Sequence, residues 1–441
     1  MKFIRTISQT AVIQVISVLF EFITSVILVR NLGPLNYGVY TAVFIIPNLI
    51  TGLGAMGIGP SIIYFSGRKI FNLWAIFYFS LIVGTVLSTL YLGLSYLLVD
   101  PIQKYIFAER IDVHLILMAS LMIPLNLFNK FFRAILRGLG MVNTFTLTTI
   151  LLPTISRFTL VLIFVIFLDY GVIGAISAPI FSVFISSLAV IFMVILYIPS
   201  DMKKNVFMSF DQIMEFMNYG LKSWLGSAIK KSDSGIMLLL VTYLTSLENL
   251  AYFKLGHTLA NMSVKAKSII DIVSVSKIVT SDSDLIKAQF PRLFRSITFL
   301  IVILTVIGNL LISPTINIIY GEEFSETINV FRILLPGLLL LQFISVANQV
   351  KAYTGDPLHV SKVRIFGFLT NIVFLLTLVP YFSIYGAASS ILIANTIMFL
   401  VSIYYSKKFF NIDSYDLLVI NQNDFRFFKS SISKQFSSKR N

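Results

Sequence analysis

Residues 254–271 place polar side chains at helical spacing inside an otherwise apolar chain: KLGHTLANMSVKAKSIID. On a helix, Lys254, His257, Asn261 and Lys265 fall within an arc of roughly 100°. A lysine that faces hydrocarbon costs at least about 2.5 kcal/mol, so this face should border protein or a water-filled cavity. Lysines in such a cavity attract phosphate or carboxylate groups. The pattern therefore predicts an anion-binding face, with a structural polar seam between helices as the alternative.

Other charged side chains also fall inside apolar stretches. The further candidate cations for binding an anion are Arg157, Lys222 and Lys230. The carboxylates that are candidates for a coupling ion are Glu21, Asp233 and Asp271. For Arg157 and Glu21, a fixed ion pair is the alternative role. Cations outnumber carboxylates on these stretches, which favours an anionic ligand over a cationic one.

The sequence contains few residues that could support metal or redox chemistry. The chain has no cysteine, which excludes disulfides, iron–sulfur clusters and thiolate metal sites. Its three histidines, His114, His257 and His359, are scattered and lack metal-ligand spacing. The connections on the predicted outer side are too short to hold a folded catalytic module. We therefore expect no metal, no cofactor and no enzymatic activity.

The composition is that of an integral membrane protein. The chain has 441 residues, of which 57% are hydrophobic and only 12% charged, and its mean hydropathy is +0.88. Soluble domains carry roughly 25% charged residues. The formal net charge of +14 could indicate a nucleic-acid partner. In a membrane protein it more often reflects basic cytoplasmic loops beside anionic lipids, so we expect no nucleic acid.

Apolar stretches of spanning length recur along nearly the whole chain, since one span needs about 20 apolar residues. The twelve predicted spans are 9–29, 39–65, 73–99, 114–136, 145–168, 172–198, 219–244, 251–277, 296–319, 328–350, 363–381 and 385–406. With a cytoplasmic N-terminus, most lysines and arginines of the connections fall on the inner side. This asymmetry predicts that both termini are cytoplasmic.

Weak internal repeats divide the chain into halves. Short similar stretches recur in the same order, about half the chain apart, and pair Asn36 with Asn249, Gly140 with Gly355 and Gly174 with Gly386. Two parallel six-helix lobes are typical of rocking transporters. The predicted regions are an N-terminal lobe at 1–198, a cytoplasmic linker at 199–218, a C-terminal lobe at 219–408 and a basic tail at 409–441. Apolar periodicity in the linker indicates an interfacial helix.

Several motifs resemble the Wzx-type polysaccharide and O-antigen flippases of the multidrug/oligosaccharidyl-lipid/polysaccharide exporter superfamily. They are LVRNLGPLNYGVYTAVF at 28–44, LRGLGMVN at 136–143, FPRLF at 290–294, IYGEEFSETINVFRILLPGLLL at 319–340 and LVPYFSIYGAASSILIANT at 378–396. The resemblance covers almost the whole chain up to about residue 408. The stretch SDSGIMLLL is similar to the family's seventh span through Asp233, whereas the preceding Lys230–Lys231 pair is a departure.

The resemblance implies an alternating-access flippase in the bacterial inner membrane. Its implied substrate is an undecaprenyl-diphosphate-linked oligosaccharide, moved from the cytoplasmic to the outer leaflet for O-antigen, capsule or exopolysaccharide synthesis. A polysaccharide polymerase and chain-length proteins are the implied partners, beside the lipid bilayer. The implied cavity cations are Arg157, Lys222, Lys230, Lys254 and Lys265.

Two other functional classes stay open at this point. A cation-coupled drug or metabolite antiporter of the same superfamily would share the fold but prefer cationic ligands. A membrane polysaccharide polymerase or glycosyltransferase would also handle an anionic lipid substrate. That enzyme would need a long outer loop, which the short outer connections speak against.

Overall fold

The structure, a computed structural model, describes residues 2–198, 207–262, 283–353 and 357–410, and in some stretches, such as 229–234, only their backbone. No strand occurs within these ranges. The described helices are α1 Lys2–Val43, α2 Ile45–Gly54, α3 Ile58–Gly67, α4 Leu73–Leu97, α5 Val99–Pro101, α6 Val113–Ser120, α7 Met122–Gly138, α8 Val142–Thr146, α9 Leu152–Val161, α10 Gly171–Tyr197, α11 Phe210–Leu244, α12 247–262, α13 Ser283–Pro314, α14 Glu326–Tyr353 and α15 Pro357–Phe410. Four π-helical segments and one 3₁₀ turn continue or join them at Ile102–Ile106, Leu147–Leu151, Leu162–Phe167, Thr315–Tyr320 and Glu322–Phe324.

The predicted all-helical, multi-span membrane architecture is confirmed. Seven described stretches are long and apolar enough to cross a membrane: Val12–Gly54, Leu73–Leu97, Val113–Gly138, Val142–Phe167, Gly171–Tyr197, Ile301–Tyr320 and Val363–Tyr405. The first and the last each take up two predicted spans, because the helical path continues through a kink. Gly33 has a φ of 67° and is followed by Pro34, so α1 changes direction there. In α15 the corresponding break is Ser383, with a φ of 48°.

The chain divides into two compact units. The first comprises Met1–Lys254 together with Ile319–Phe324, and the second comprises Leu255–Ile318 together with Ser325–Asn441. This division does not follow the predicted lobe boundary, because α11 packs on helices of the first unit. The two-lobe arrangement and the cytoplasmic placement of both termini stay predictions.

Aromatic side chains form the core of the first unit, where α3, α4, α7 and α10 meet. Phe65, Phe131, Phe132 and Phe216 are fully buried there. The Phe65 ring stacks on Phe71 at 4.4 Å and on Phe216 of α11 at 5.5 Å between centroids. Each of these rings buries a large apolar surface, so the core fixes α11 firmly to α3.

Helix α11 begins inside the predicted linker. A capping box between Ser209 and Gln212 satisfies the first backbone groups and sets its start at Phe210. From there the helix runs without a break into the predicted seventh span. Ser61 donates a 2.8 Å hydrogen bond to the Phe216 carbonyl, and Trp224 donates one of 2.8 Å to the Leu53 carbonyl. The linker residues 199–206 lie outside the described residues.

In the second unit, α14 packs along α15. The Asn395 amide donates to the Gly337 carbonyl at 3.0 Å, which joins the two helices through a buried hydrogen bond. The Phe343 and Phe399 rings pack edge to face at 4.6 Å between centroids. These contacts fix the described part of the second unit.

Candidate functional site

Arg157 lies in the middle of α9, on a helix whose position is set by neighbouring backbone contacts. π-helical segments precede and follow α9. Pro153, the second residue of the helix, has no backbone N–H, and its carbonyl accepts a 2.6 Å hydrogen bond from Ser182 of α10. Arg157 follows one turn later, where its guanidinium reaches Tyr40 of α1.

The Arg157 guanidinium is only partly satisfied. Its Nη2 donates a hydrogen bond to the Tyr40 hydroxyl. Its Nε is buried and has no hydrogen-bond partner among the described residues. A phenol cannot neutralise a guanidinium, so the group keeps its positive charge and one unused donor. An anion is the ligand that would satisfy both.

Lys254 of α12 is the second cation of this region, and its side chain is partly buried. The charges of Lys254 and Arg157 repel each other electrostatically. In the part of the chain that the structure describes, neither cation forms a salt bridge with a carboxylate. The two form a local excess of positive charge, which we call the Arg157–Lys254 pair.

Aromatic rings surround Tyr40. Tyr37 lies 5.8 Å from Tyr40 and 6.3 Å from Phe324 between ring centroids. Phe324 also packs against Tyr252 of α12 at 5.8 Å. Phe324, Tyr37 and Tyr40 are all buried, so the Tyr40 hydroxyl lies among side chains that are largely removed from solvent. Exclusion of water strengthens charge interactions nearby.

The segment 319–324 brings Phe324 to this wall. Tyr320 shares a buried 2.7 Å hydrogen bond with the Ser25 hydroxyl of α1. Arg30 donates from Nε to the Ile319 carbonyl at 2.7 Å. These contacts attach 319–324 to the first unit although it follows α13 in the chain.

The surroundings of four other predicted residues, Lys222, His257, Asn261 and Glu21, are also described. Lys222 is exposed on α11. Asn261 donates its amide to the His257 carbonyl at 2.8 Å and lies 3.1 Å from a ring nitrogen of His257, so the two side chains engage each other along α12. Glu21 is partly buried in α1 and takes part in a polar or electrostatic interaction.

Four predicted residues cannot be assigned contacts. Lys265 and Asp271 lie outside the described residues. Lys230 and Asp233 lie on α11, but only the backbone is described there. Their roles stay predictions.

Three cations of α7 were not among the site residues predicted from the sequence. Lys130, Arg133 and Arg137 are spaced by three and four residues along this helix. That spacing is the signal by which the stripe on α12 was recognised, and it would have found them. Tyr40 gives no comparable signal, because its role depends on Arg157 being folded against it.

Comparison with known proteins gives a family match and a shared fold. The sequence model of the family described as "Polysaccharide biosynthesis protein" matches residues 27–329. An uncharacterized membrane protein of Methanocaldococcus jannaschii, MJ1068, is 22% identical over 416 residues, covering 88% of this chain and 80% of that protein.

Two solved structures share the fold over most of their length. An inward-facing multidrug resistance MATE family transporter of the MOP superfamily superposes with a TM-score of 0.73 at 17% identity, covering 91% of this chain and 98% of that one. The lipid II flippase MurJ, in an inward closed conformation, superposes with a TM-score of 0.63 at 16% identity, covering 90% and 87%. At this level of identity, the likeness concerns the fold.

Proposed function

Because the chain belongs to the polysaccharide biosynthesis protein family, we propose that it is a flippase for polyprenyl-diphosphate-linked oligosaccharide repeat units. It moves them from the cytoplasmic to the outer leaflet of the bacterial inner membrane, for O-antigen, capsule or exopolysaccharide synthesis. A polysaccharide polymerase and chain-length proteins then act on the translocated repeat. The fold shared with a MATE transporter and with MurJ supports a transport function.

The observation that carries this proposal is the buried Arg157 Nε, which has no partner among the described residues, on a side chain whose charge repels that of Lys254. A diphosphate carries several negative charges and many acceptor oxygens. It satisfies the free donor and relieves the repulsion between Arg157 and Lys254 in one step. Arginine suits this role because its guanidinium binds phosphate through two parallel hydrogen bonds.

The translocation mechanism is alternating access. The Arg157–Lys254 pair holds the diphosphate, while the prenyl chain stays next to lipid. The other predicted cavity residues, Lys222, Lys230, His257, Asn261 and Lys265, contact the glycan or the diphosphate at other stages. The carboxylates Glu21, Asp233 and Asp271 are the sites proposed to couple transport to a proton or sodium gradient.

A cation-coupled drug antiporter is the second candidate, favoured by the fold shared with a multidrug resistance transporter. The charge of the ligand separates the two functions. Cationic drugs would be repelled by the Arg157–Lys254 pair, whereas an anionic diphosphate is attracted. For this reason we place the flippase first.

The test is the lipid-linked oligosaccharide content of the host membrane after depletion of the protein. We expect one polyprenyl-linked repeat to accumulate, with its mass identifying the glycan, and surface polymer to be lost. The wild-type chain restores polymer, and the Arg157→Gln/Lys254→Gln double variant restores at least about tenfold less. Lys104→Gln, which removes an exposed lysine outside the proposed site, is the control for protein quantity and insertion. Intact polymer together with sensitivity to cationic compounds would favour the antiporter instead.

A further inference from the structure

We propose that α7 carries a second anion site, built from Lys130, Arg133 and Arg137, which takes the phosphate groups of a prenyl diphosphate. We call these three residues the α7 triad. The triad belongs to the first unit and lies on a different helix from Arg157. The choice of ligand rests on the proposed function, whereas the existence of the site rests on the geometry of α7.

The three side chains share one face of α7. At 100° per residue they fall within an arc of roughly 60°. The opposite face of the helix is filled by fully buried apolar side chains: Phe131, Phe132, Ile135 and Leu136. On the flank, Asn129 donates a buried 3.0 Å hydrogen bond to Ser186 of α10. The core therefore fixes the rotation of α7 and holds the triad on the remaining face.

The two outer members of the triad are held by neighbouring helices. The Lys130 ammonium donates to the Thr51 carbonyl of α2 at 3.2 Å. The Arg137 guanidinium lies 5.7 Å from the centroid of the Phe145 ring of α8, which is cation–π distance. These contacts direct the two cations toward α2 and α8 on either side of the face.

Arg133, between them, has no such partner. Its side chain is partly buried, and in the described part of the chain it forms no hydrogen bond or ion pair. Its charge is instead repelled by that of Arg137. A partly buried guanidinium that has no partner in the described residues, and is repelled by a neighbouring cation, is available to bind an anion.

Phosphate is the anion chemistry that fits the triad. Arg133 can bind two oxygens of one phosphate, and the flanking cations can balance the remaining negative charges of a diphosphate. Under the predicted topology, Arg137 lies at the cytoplasmic end of its span, which is the side from which the substrate comes. The triad would receive the diphosphate there, before the Arg157–Lys254 pair binds it.

The test is binding of geranylgeranyl diphosphate to the full-length protein in phosphatidylcholine nanodiscs. We expect Arg133→Gln to weaken binding at least about tenfold and Arg133→Lys to restore part of it, since lysine keeps the charge but loses the paired hydrogen bonds. Arg137→Gln is a second variant at an exposed position, where folding is least at risk, and should weaken binding about threefold. Arg68→Gln is the matched control, because Arg68 is exposed and already lies over the Tyr64 ring at 4.7 Å.

Competing ligands show whether the bound phosphate belongs to a prenyl diphosphate or to the headgroup of a bulk lipid. We expect inorganic pyrophosphate to displace geranylgeranyl diphosphate, and geranylgeraniol and phosphatidylglycerol to leave it bound. Equal displacement by phosphatidylglycerol would overturn the assignment to prenyl diphosphate and make the triad a bulk-lipid headgroup site. Wild-type binding by both Arg133→Gln and Arg137→Gln would overturn the site itself.

The failure of this site and the failure of the flippase function have different signatures. If depletion causes repeat units to accumulate but the Arg133→Gln variant binds geranylgeranyl diphosphate normally, the assignment of the α7 triad as an anion site is wrong and the flippase function stands. If no repeat accumulates but binding of the diphosphate still depends on Arg133, the anion site stands without the flippase function.

Discussion

Gly57 is the point at which a single methyl group should disturb the attachment of α11 most clearly. It joins α2 to α3 with a φ of 75° and lies against the backbone of Gly220 in α11. A Cβ added at Gly57 would overlap the Gly220 carbonyl. Because the obstacle is backbone and cannot rotate away, α11 or the turn must move. We therefore expect Gly57→Ala to loosen the packing of α11 on α3.

The expected cost has two parts. An L-residue in the left-handed region costs roughly 1–2 kcal/mol. Overpacking of a well-filled contact adds about 1–3 kcal/mol, and reduced freedom of the unfolded chain returns about 0.4–1 kcal/mol. The net destabilisation from Gly57→Ala should thus be about 1–5 kcal/mol, with a central value of about 3 kcal/mol.

Substitutions at two other glycines distinguish the cost of the left-handed backbone from the cost of overpacking. Gly140 has a similar φ of 70°, but a Cβ there meets nothing within 4 Å, so Gly140→Ala measures the backbone cost alone. Gly59 lies inside α3 with open space around it, so Gly59→Ala should be neutral or stabilising by up to about 1 kcal/mol.

The assay measures thermal unfolding of the purified protein, with tryptophan fluorescence as the signal. Trp224, one of two tryptophans in the chain, donates a hydrogen bond to the Leu53 carbonyl. Its fluorescence therefore reports on the packing of α11. Gly57→Ala should lower Tm more than Gly140→Ala and shift the fluorescence emission. Equal Tm losses for these two variants, with unchanged emission, would refute the close approach of α11 and α3.

Four further single substitutions test three contacts of the first unit. Ser25→Ala and Tyr320→Phe should each cost about 1–2 kcal/mol of unfolding free energy, and the double variant about 1 kcal/mol less than their sum; strict additivity would mean that the hydroxyls do not bond. Tyr40→Phe should lower polymer restoration in depleted cells severalfold, because it removes an acceptor from Arg157 while keeping the ring; full restoration would contradict that role. Ser61→Ala should cost about 1 kcal/mol in the same unfolding assay by removing the hydrogen bond to α11, and an unchanged Tm would argue against it.

The architecture could be predicted because it depends on the length of the apolar stretches in the sequence. Apolar stretches of spanning length have to form helices in lipid, so an all-helical fold with several membrane spans follows from the sequence. The breaks inside helical paths could not be placed in this way. Gly33 was predicted to lie in a connection, yet the helix resumes at once because Pro34 suits the first turn of the next segment. The linker was separated from the seventh span on its charge, whereas the Ser209 capping box starts one continuous helix.

The candidate site was only partly accessible from the sequence. Charge inside apolar stretches singled out Arg157 and Lys254, which the fold brings within electrostatic range of each other. The same spacing occurs on α7, where Lys130, Arg133 and Arg137 lie from the middle of the helix to its C-terminal end, but they were not among the predicted site residues. Tyr40 and Phe324 could not have been found, since their relation to Arg157 depends on contacts between distant parts of the chain.

Arg157 and Arg133 lie on two helices of one unit, and neither pairs with a carboxylate in the described part of the chain. A buried donor without a partner costs about 1–3 kcal/mol, and native proteins leave few of them. This cost applies to the buried Arg157 Nε, whereas Arg133 is partly buried and forms no hydrogen bond in the described part of the chain. Stability alone would favour an apolar residue at either position, because hydrophobic replacement of a poorly paired charge is often stabilising. The presence of a charged, unsatisfied guanidinium at both positions is therefore best explained by an anion that each of them binds for part of a transport cycle.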